Sequence, residues 1–513
     1  MERSVDLLLI NPGGRGQSYQ GLGESLSAIE PPVWAGLLAT FTRLRGRSVA
    51  VLDANAENLS PAEVAERVQR KSPRLTTVVV YGHNPSASTQ VMPAAGEICR
   101  EIRTRGSETA TLLVGGHVAA LPERTLREET VDYVCDGEGP YTIVGLLDAL
   151  HSTGVRGVES VPGLWYRIGK EIRHTPPAPL VGDLDGEMPG VAWDLLPMEK
   201  YRAHNWHCFG EMSRTPYASI YTSLGCPFRC AFCCIQAPFR AGTSDSGNGD
   251  VPNSYRMWKP ETVIRQIDTL VKEYGVRNLK FADELFVLHP THVDGICDLI
   301  LQRGYDLNIW AYARVDTIRP EMLPVMRRAG IRWLALGIET ASARVRKDAR
   351  KGYRTERIRE AVASIHGAGI HIIGNFIFGL PEDDGGTLRE TLDLAKDLNC
   401  EFANFNCAMA YPGSALYDTA LREGWPLPEK WGGYSQYSLD SRPLRTRSLP
   451  GETILRFRDR AFEAYFSNPT YLAMMRRTFG GACHSQLKEM VSHKLDRQPR
   501  SDVRCERKGA GGR

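Results

Sequence analysis

Three cysteines stand at fixed intervals in residues 221–240, whose sequence is YTSLGCPFRCAFCCIQAPFR. Three residues separate Cys226 from Cys230, and two residues separate Cys230 from Cys233. A glycine and a proline beside the first cysteine disfavour regular secondary structure, so the segment is predicted to form a loop. Three thiolates that converge from one loop suit an iron–sulfur cluster in which one iron has no protein ligand. A closed zinc site normally has four ligands, so a zinc loop or a buried group of thiols is the less favoured alternative.

With Phe232 as its aromatic residue, the spacing Cys-x3-Cys-x-aromatic-Cys resembles the signature of the radical S-adenosylmethionine (radical SAM) superfamily. The resemblance implies a 4Fe–4S cluster whose remaining iron takes the amino and carboxylate groups of S-adenosyl-L-methionine. It also implies that Phe232 lies at the site of that cofactor. The spacing alone indicates only an open metal site.

Length and composition fit a multidomain protein without a nucleic-acid or membrane partner. The 513 residues are enough for roughly two or three domains with sizeable cores. The net charge of +3 is not gathered into a basic block, which argues against nucleic acid as the main partner. No apolar run reaches the length of a membrane span, and the apolar stretch near the N-terminus is too short for a signal peptide. The twelve cysteines then indicate reduced thiols, and we expect a soluble, cytoplasmic protein.

Residues 5–150 alternate short apolar runs with amphipathic helical patterns. Helices of this length between strands predict a parallel, doubly wound sheet of the Rossmann-like α/β class. In such a sheet the ligand lies beyond the carboxyl ends of the strands. The predicted strands are 6–10, 48–53, 76–81, 110–114 and 131–135, and the predicted helices between them include 34–44, 61–70 and 90–103.

Glycine and small polar residues follow four of these strands. Such residues let the backbone approach a flat or phosphate-bearing ligand, although any one set alone is typical of a tight strand-to-helix turn. The first helix does not open with Gly-x-Gly-x-x-Gly, so a dinucleotide is not favoured. The four sets are Asn11-Pro12-Gly13-Gly14, Tyr81-Gly82-His83-Asn84-Pro85-Ser86, Gly115-Gly116-His117 and Gly137-Glu138-Gly139.

This pattern resembles the cobalamin-binding domain that many radical SAM proteins carry, and it implies a corrinoid, methylcobalamin, at this edge. Cobalamin mutases and methionine synthase place a cobalt-ligating histidine in Asp-x-His-x-x-Gly, whereas this chain has Asn55 two residues after Asp53. We therefore expect no imidazole from this motif beneath cobalt. His83 and His117 are possible substitutes, but each is more often a hydrogen-bonding loop residue. The residues that the resemblance assigns to cobalamin are Asn11, Pro12, Tyr81, Gly82, Ser86, Gly115, Gly116, His117, Gly137, Glu138 and Gly139.

Residues 219–424 again alternate strand and helix. Six successive units predict a partial (β/α)6 barrel of parallel strands, open on one side, with functional residues at the carboxyl ends of its strands. The cysteine loop follows the first of these strands and so belongs to that rim. The predicted strands are 219–222, 278–282, 308–313, 333–337, 371–378 and 401–407, and the predicted helices are 261–274, 290–302, 320–328, 354–366 and 386–398.

Polar residues recur at the ends of these strands, in the segments FADELF, WAYARVD, LGIET and IFGLPE. A zwitterion that carries a ribose and an adenine needs acceptors for its ammonium and hydroxyl groups and a cation near its carboxylate. In the resembling superfamily these positions contact S-adenosyl-L-methionine, although Asp283-Glu284 replaces the usual Gly-Gly-Glu and residues 374–379 match their motif only in part. The residues carried over are Asp283, Glu284, Arg314, Glu339, Gly379 and Glu382.

The patterns divide the chain into five parts. We expect a cobalamin-binding domain at 1–155, a hairpin and linker at 156–215, the radical SAM partial barrel at 216–424, a small helical C-terminal cap at 425–493 and a disordered tail at 494–513. The hairpin is predicted to turn at Gly169-Lys170. The tail lacks apolar residues that could join a core.

Together the resemblances imply an enzyme, a cobalamin-dependent radical SAM methyltransferase of the class B type. They imply that a 5′-deoxyadenosyl radical removes hydrogen from an unactivated carbon. They also imply that methylcobalamin supplies a methyl group to that carbon, or to the phosphorus of a phosphinate. The expected partners are a small-molecule substrate, by association a secondary metabolite of the kind found in antibiotic biosynthesis, and an electron donor such as flavodoxin or ferredoxin.

Other functions stay open at this point. A cobalamin-dependent rearrangement or oxidative cyclisation would consume S-adenosyl-L-methionine without moving a methyl group. Methylthio transfer to tRNA would need a second three-cysteine set, and the cysteines before the loop, Cys99, Cys135 and Cys208, are widely scattered. A non-catalytic iron–sulfur or corrinoid carrier is disfavoured by the charged residues on the barrel rim. Nothing in the sequence identifies the substrate.

Overall fold

The computed structural model describes residues 5–152, 157–239 and 253–498. Arg240, at the end of the cysteine segment, lies outside the described residues. Of the tail predicted to be disordered at 494–513, residues 499–513 lie outside the described residues and residues 494–498 are described. Across the described ranges, no helix is both long enough and apolar enough to cross a bilayer.

The N-terminal half is built on a sheet of seven strands. These are β1 (Leu7–Asn11), β2 (Val49–Asp53), β3 (Leu75–Val79), β4 (Ala110–Val114), β5 (Tyr133–Cys135), β6 (Leu164–Ile168) and β7 (Glu171–His174). The first five run in parallel in the order β2-β1-β3-β4-β5, which confirms the predicted doubly wound sheet. The predicted hairpin, β6 and β7, pairs antiparallel with β5 and extends the same sheet.

The parallel strands are apolar on both faces. In β1, the side chains of Leu7, Leu8, Leu9 and Ile10 are all fully buried, because helices cover both sides of a doubly wound sheet. Burying side chains of this kind contributes roughly 1.5–3 kcal/mol each. The polar and glycine-rich positions are therefore left to the strand ends, where a ligand can reach the backbone.

Local capping signals fix the boundaries of one long helix in this half. Helix Pro61–Lys71 begins after Ser60, which exchanges hydrogen bonds with Glu63 in a capping box, and it ends at Ser72 in a left-handed conformation. The other α-helices of this half are Arg15–Tyr19, Leu22–Ser25, Val33–Arg43, Ala87–Gln90, Met92–Thr104, Gly116–Ala120, Pro122–Glu128, Pro140–Ser152 and Leu184–Glu187.

The second half is built on a sheet of six parallel strands and one short antiparallel pair. Its strands are β8 (Tyr217–Ile220), β9 (Ser223–Gly225), β10 (Tyr255–Met257), β11 (Asn278–Phe281), β12 (Asn308–Arg314), β13 (Ile331–Glu339), β14 (His371–Phe378) and β15 (Phe402–Cys407). The parallel sheet has the order β15-β14-β13-β12-β11-β8, and β9 pairs with β10. Each parallel strand thus lies beside its predecessor with a helix between, which confirms the predicted partial barrel.

Helices surround this barrel and close one side of it. Helix Gly451–Phe466 packs on β15, where Arg458 Nε donates to the carbonyl of Phe405 at 2.8 Å, and Tyr465 Oη donates to that of Cys400, just before the strand, at 2.6 Å. The α-helices of the second half are Pro260–Tyr274, Pro290–Arg303, Leu323–Arg328, Ala343–Asp348, Thr355–Gly367, Gly385–Leu398, Ala415–Arg422, Gly451–Phe466, Pro469–Phe479 and Gly481–Ser492.

Candidate functional site

A cavity of about 530 Å³ lies between the two sheets and is lined by both halves of the chain. This volume is within the range of small-molecule sites. The carboxyl edge of the first sheet contributes Asn11, Pro12 and Gly82, and the cysteine loop contributes Phe232 and Cys233. The fold therefore brings the cysteine loop and the glycine-lined edge to opposite sides of one space.

The three cysteines lie on the loop that follows β9, and all three are free and half-buried. The backbone N–H of Cys233 donates to the carbonyl of Cys230 at 3.1 Å, and Gln236 Nε2 donates to the carbonyl of Cys226 at 2.7 Å. Among the described residues, no three His, Cys, Asp or Glu side chains are grouped so as to hold a metal ion. A 4Fe–4S cluster spreads its cysteine ligands over separate irons, so three thiols along one loop fit a cluster better than a single zinc ion.

Arg314, at the end of β12, contacts this loop directly. Its Nη1 donates to Sγ of Cys230 at 3.2 Å, and its Nε donates to Asp316 at 2.7 Å. Burial raises the pKa of Cys226 to about 11, so binding a cluster through thiolates would release protons. The guanidinium supplies positive charge where thiolates would form.

The two acidic residues after β11 have different surroundings. Asp283 is fully buried, and its carboxylate accepts from Thr222 Oγ1 at 2.8 Å and from Ser223 Oγ at 2.5 Å, so it fixes the entry to the cysteine loop. Glu284 lines the cavity, and its buried Oε2 has no hydrogen-bond partner in the described part of the chain. Burial raises the pKa of Glu284 to about 8. A buried carboxyl without a partner fits an ammonium group such as that of S-adenosyl-L-methionine.

The remaining rim residues predicted for this cofactor lie on neighbouring strand ends. Glu339, at the end of β13, has a left-handed φ of 65° and pairs with Lys351. Gly379 has a φ of 89°, and a Cβ added there would come within 2.8 Å of Ile454. Glu382 lies at the surface and pairs with two arginines. Phe232 and Glu284 form the cavity wall near the cysteines.

The glycine-lined edge is held in shape by short polar contacts. Asn11 Nδ2 donates to Asp53 Oδ1 at 2.7 Å, which joins the ends of β1 and β2. Gly82 has a φ of 71°, and a Cβ there would lie 2.6 Å from that of Ala87, so a larger residue does not fit. Ser86 lines the cavity beside it. This edge has the close-approach backbone that a corrin ring needs.

Tyr81 and residues 137–139 form a buried layer behind that edge. The hydroxyl of Tyr81 donates to the carbonyl of Glu138 at 2.8 Å, and its ring stacks on Trp34 at 4.1 Å. The Glu138 carboxylate pairs with Arg256 at 2.6 Å. Since Arg256 belongs to β10, this layer ties the first sheet to the cysteine-loop region.

His117, which follows Gly115 and Gly116, is covered by a segment from the C-terminal region. The His117 ring lies 3.1 Å from Thr89 Oγ1, and Trp431 packs edge-on against it with ring centroids 4.4 Å apart. Burial lowers the pKa of His117 to about 3. The imidazole is therefore neutral and enclosed by protein groups.

Two of the three side chains considered for the cobalt face, Asn55 and His83, line the cavity. Nε2 of His83 is 3.3 Å from the hydroxyl of Tyr19. Burial lowers the pKa of His83 to about 4, so this imidazole is also neutral. The structure thus leaves Asn55 and His83, rather than His117, next to the space where a corrinoid would lie.

An ion pair that the sequence analysis missed joins the two halves inside the cavity. Lys280, in β11, donates to Glu30 Oε2 at 2.8 Å and to the carbonyl of His83 at 3.0 Å. Burial would raise the pKa of Glu30, but Lys280 beside it holds that pKa well below its ordinary range. The available signal was a lysine between two apolar residues of β11, Leu279 and Phe281. An isolated charge at such a position requires a partner.

Two family models match the chain. Residues 19–147 match the B12 binding domain, and residues 220–395 match the radical SAM superfamily. The second range contains all three cysteines of the loop. The chain therefore combines a B12-binding domain with a radical SAM domain. This assignment confirms the predicted family and its two cofactor-binding domains.

Relatives of this chain include several named enzymes. An uncharacterized methyltransferase of Pyrococcus horikoshii is 29% identical over 443 residues, which cover 86% of this chain and 89% of the relative. The anaerobic magnesium-protoporphyrin IX monomethyl ester cyclase of Rubrivivax gelatinosus is 26% identical over 80% of this chain and 69% of its own length. Both relatives carry the names of enzymes, the first a methyltransferase and the second a cyclase.

Two solved structures share the fold. The radical S-adenosylmethionine methyltransferase TsrM from Kitasatospora setae, solved with cobalamin and a [4Fe-4S] cluster bound, has a TM-score of 0.64 and 17% identity, covering 91% of this chain and 90% of its own. The cobalamin-dependent radical enzyme OxsB has a TM-score of 0.59 and 20% identity, covering 82% of this chain and 56% of its own. At these low sequence identities, the structural similarity establishes the fold of the chain and nothing about its reaction.

Proposed function

We propose that this chain is a cobalamin-dependent radical SAM methyltransferase that acts on a small molecule. The observation that carries the proposal is the single cavity lined both by the cysteine loop and by the glycine-lined edge of the B12-binding domain. A methyl carrier and a radical source can act on one carbon only if both face the same space. The named methyltransferases among the relatives support this function.

On the barrel side, Cys226, Cys230 and Cys233 would hold the cluster, and Arg314 would donate to the thiolate of Cys230. Glu284 would accept the ammonium group of S-adenosyl-L-methionine, since its Oε2 is buried and lacks a partner. When bound, the cluster with this cofactor supplies a carbon radical, and the corrinoid supplies a methyl group. The chain's own contribution is to orient these groups and to exclude water.

On the opposite side, Asn11, Pro12, Gly82 and Ser86 line the cavity and would contact the corrin ring. The positive φ of Gly82 keeps the backbone close to the ligand. Tyr81, Gly115, Gly116, His117 and residues 137–139 would support the same cofactor from behind this edge. No imidazole follows from the Asp53 motif, so we expect cobalt without a histidine from that position.

The reaction also needs a one-electron donor, and we propose a flavodoxin or ferredoxin for this role. Pro227 and Arg229, on the outer turn of the cysteine loop, are exposed to solvent. An electron carrier could therefore approach the cluster from outside while substrate occupies the cavity.

A second candidate is a ring-forming or rearrangement reaction without methyl transfer. It is favoured by the relatives named anaerobic magnesium-protoporphyrin IX monomethyl ester cyclase, from three organisms. The cavity geometry suits either reaction, because both need a radical source beside a corrinoid.

Product counting separates the two candidates. The full chain would be reconstituted anaerobically with iron, sulfide and hydroxocobalamin, then given a reductant and S-adenosyl-L-methionine with a deuterated methyl group. Methyl transfer predicts 5′-deoxyadenosine together with S-adenosylhomocysteine, and deuterium in the cobalamin pool. If 5′-deoxyadenosine alone accumulates, the methyltransferase proposal is wrong.

The matched control replaces Cys226, Cys230 and Cys233 with alanine. This variant should form no 5′-deoxyadenosine while still binding hydroxocobalamin. Full turnover by the variant would instead support a carrier without cluster chemistry.

A further inference from the structure

One part of the cavity wall has no role in the cofactor assignments above. Three asparagines on the last two barrel strands face this space: Asn375 in β14, and Asn404 and Asn406 in β15. Gln436, from the segment after the barrel, joins them. Four carboxamides on one wall can offer both donors and acceptors, but they carry no charge.

The orientation of one of these amides follows from its hydrogen bonds. The backbone N–H of Cys407 can only donate, and it donates to Gln436 Oε1 at 2.7 Å. Gln436 must then present its Nε2 to Asn406 Oδ1, 2.9 Å away. Asn406 Oδ1 is therefore an acceptor, which leaves the Nδ2 group of Asn406 as a donor. Within the described residues, this nitrogen has no protein acceptor, and the residue lines the cavity.

A neighbouring pair adds a second set of groups. Asn404 Nδ2 donates a hydrogen bond to Asn375 Oδ1 at 2.9 Å, which fixes the two amides against each other. Each amide also has a second polar atom that can form a hydrogen bond with a ligand. The ring of Tyr312 lines the same wall. A ligand here meets fixed hydrogen-bonding groups beside an aromatic surface.

The positive charge on the barrel wall is already paired. Lys280 is the cation of the barrel strands that line the cavity, and its ammonium contacts both Glu30 oxygens and the carbonyl of His83. Its side chain is only 1% exposed. Glu284, on the same wall, repels anions when ionised and is neutral when protonated. The described barrel wall thus offers no uncompensated cation to a phosphonate or carboxylate group.

We propose that the carboxamide wall is the substrate-recognition subsite and that the part of the substrate it holds is an uncharged group with a carbonyl oxygen, such as an amide or lactam. Asn406 Nδ2 donates to that oxygen, and Asn375 and Asn404 bond the rest of the group. This inference rests on the proposed function, because it takes the other walls of the cavity as cofactor sites. It excludes substrates whose barrel-facing group is anionic.

The test uses two probes of the same shape, 2-phenylacetamide and phenylacetate, with the full reconstituted chain in the presence of S-adenosyl-L-methionine. Affinities are measured by ligand-observed NMR titration. We expect 2-phenylacetamide to bind about tenfold more tightly than phenylacetate, the factor that corresponds to one well-placed hydrogen bond. Iron and cobalt contents are measured on the same samples, so a failure of the cofactor assignment is seen separately.

Two variants of Asn406 test whether this residue causes the preference for 2-phenylacetamide. Asn406→Asp keeps an oxygen for Gln436 but removes the donor, and it should weaken 2-phenylacetamide about tenfold. Asn406→Leu should weaken it at least as much. Gln302→Leu, which changes an exposed amide on helix Pro290–Arg303, should have no effect.

Three results would overturn the inference. They are equal or tighter binding of phenylacetate to the wild type, wild-type affinity for 2-phenylacetamide in Asn406→Asp, and no binding of either probe up to its solubility limit. A hydroxylated probe such as 2-phenylethanol, run in parallel, separates recognition of a carbonyl from recognition of any oxygen acceptor. If the alcohol binds as well as the amide, the assignment to a carbonyl is wrong.

Discussion

Replacing Lys280 with methionine tests whether the buried ion pair holds the two halves together. The Lys280 and Glu30 side chains are 1% and 8% exposed, and Lys280 also donates to the carbonyl of His83. The substitution removes the positive charge and both bonds while keeping a long, flexible side chain. Glu30 is then left buried without its cation.

Lys280→Met should lower the free energy of unfolding by about 3–5 kcal/mol, the usual penalty for leaving one partner of a buried ion pair without the other. The matched control is the surface pair Arg359–Asp397, whose side chains are 55% and 61% exposed. Arg359→Met should cost less than about 1 kcal/mol. The double variant Glu30→Gln/Lys280→Met should recover more than half of the loss, because no buried charge remains.

The cost should also depend on pH. In the wild type, burial opposes ionisation of Glu30, but Lys280 lowers the pKa of Glu30 overall. The ion pair therefore stabilises the fold at pH values above the unfolded-state pKa of Glu30, and this stabilisation is lost in acid. In Lys280→Met the burial of Glu30 is opposed only by its hydrogen bond with His204 and by the nearby histidines. Because the largest effect that lowers its pKa is gone, the folded-state pKa of Glu30 should rise above the unfolded one. The variant then loses stability as the pH rises. The difference in free energy of unfolding between wild type and variant should therefore be larger at pH 8 than at pH 5.5.

The assay is urea unfolding followed by tryptophan fluorescence at both pH values. The reasoning is refuted if Lys280→Met unfolds at the wild-type urea concentration, or if its deficit is the same at pH 5.5 and pH 8. A double variant no more stable than the single one would show that the lost bond to His83, and not the bare carboxylate, sets the cost.

Three further outcomes are expected. Cys226→Ala should lose most of its iron by colorimetric assay while cobalt loading stays at the wild-type level; unchanged iron would contradict the ligand assignment. Burial raises the pKa of Glu284 to about 8, so the affinity for S-adenosyl-L-methionine should rise with pH up to that value, by up to about tenfold per pH unit. This pH dependence should vanish in Glu284→Gln. An equal pH dependence in the wild type and the variant would exclude Glu284 from binding the ammonium group. Gly82→Val, whose Cβ would lie 2.6 Å from that of Ala87, should weaken hydroxocobalamin binding by equilibrium dialysis without changing the iron content; unaltered cobalt loading would remove Gly82 from the site.

The architecture could be predicted because periodicity and turn residues are local signals. The strand 110–114 and the strand 371–378 were predicted with the bounds that the structure has, since each is an apolar run next to clear turn or helix signals. The first barrel strand was placed two residues late, as 219–222 against Tyr217–Ile220. There the polar residues Thr222 and Ser223 continue the buried pattern because Asp283 bonds to both, and this contact is remote in sequence.

The site was predictable only where a motif carries it. The cysteine spacing predicts Cys226 as a cluster ligand, and the FADELF segment predicts Glu284 as a binding residue. Glu284 does line the cavity, and both roles stay predictions. The different surroundings of Asp283 and Glu284 could not be predicted from their neighbouring positions in the sequence, because burial depends on which side of the strand end faces the cavity. The Glu30–Lys280 pair could not be predicted, since its partners are 250 residues apart and Glu30 lies in a loop before helix Val33–Arg43.

The central claim is that a cluster on the cysteine loop and a corrinoid on the glycine-lined edge share one cavity. The most direct measurement is the electron paramagnetic resonance spectrum of bound cob(II)alamin before and after reduction of the cluster. The account predicts that reduction broadens the cobalt signal or shortens its spin relaxation. It also predicts that the variant with Cys226, Cys230 and Cys233 changed to alanine keeps the cobalt signal and loses this effect. A cobalt signal that does not respond to cluster reduction in a fully loaded protein would contradict the claim.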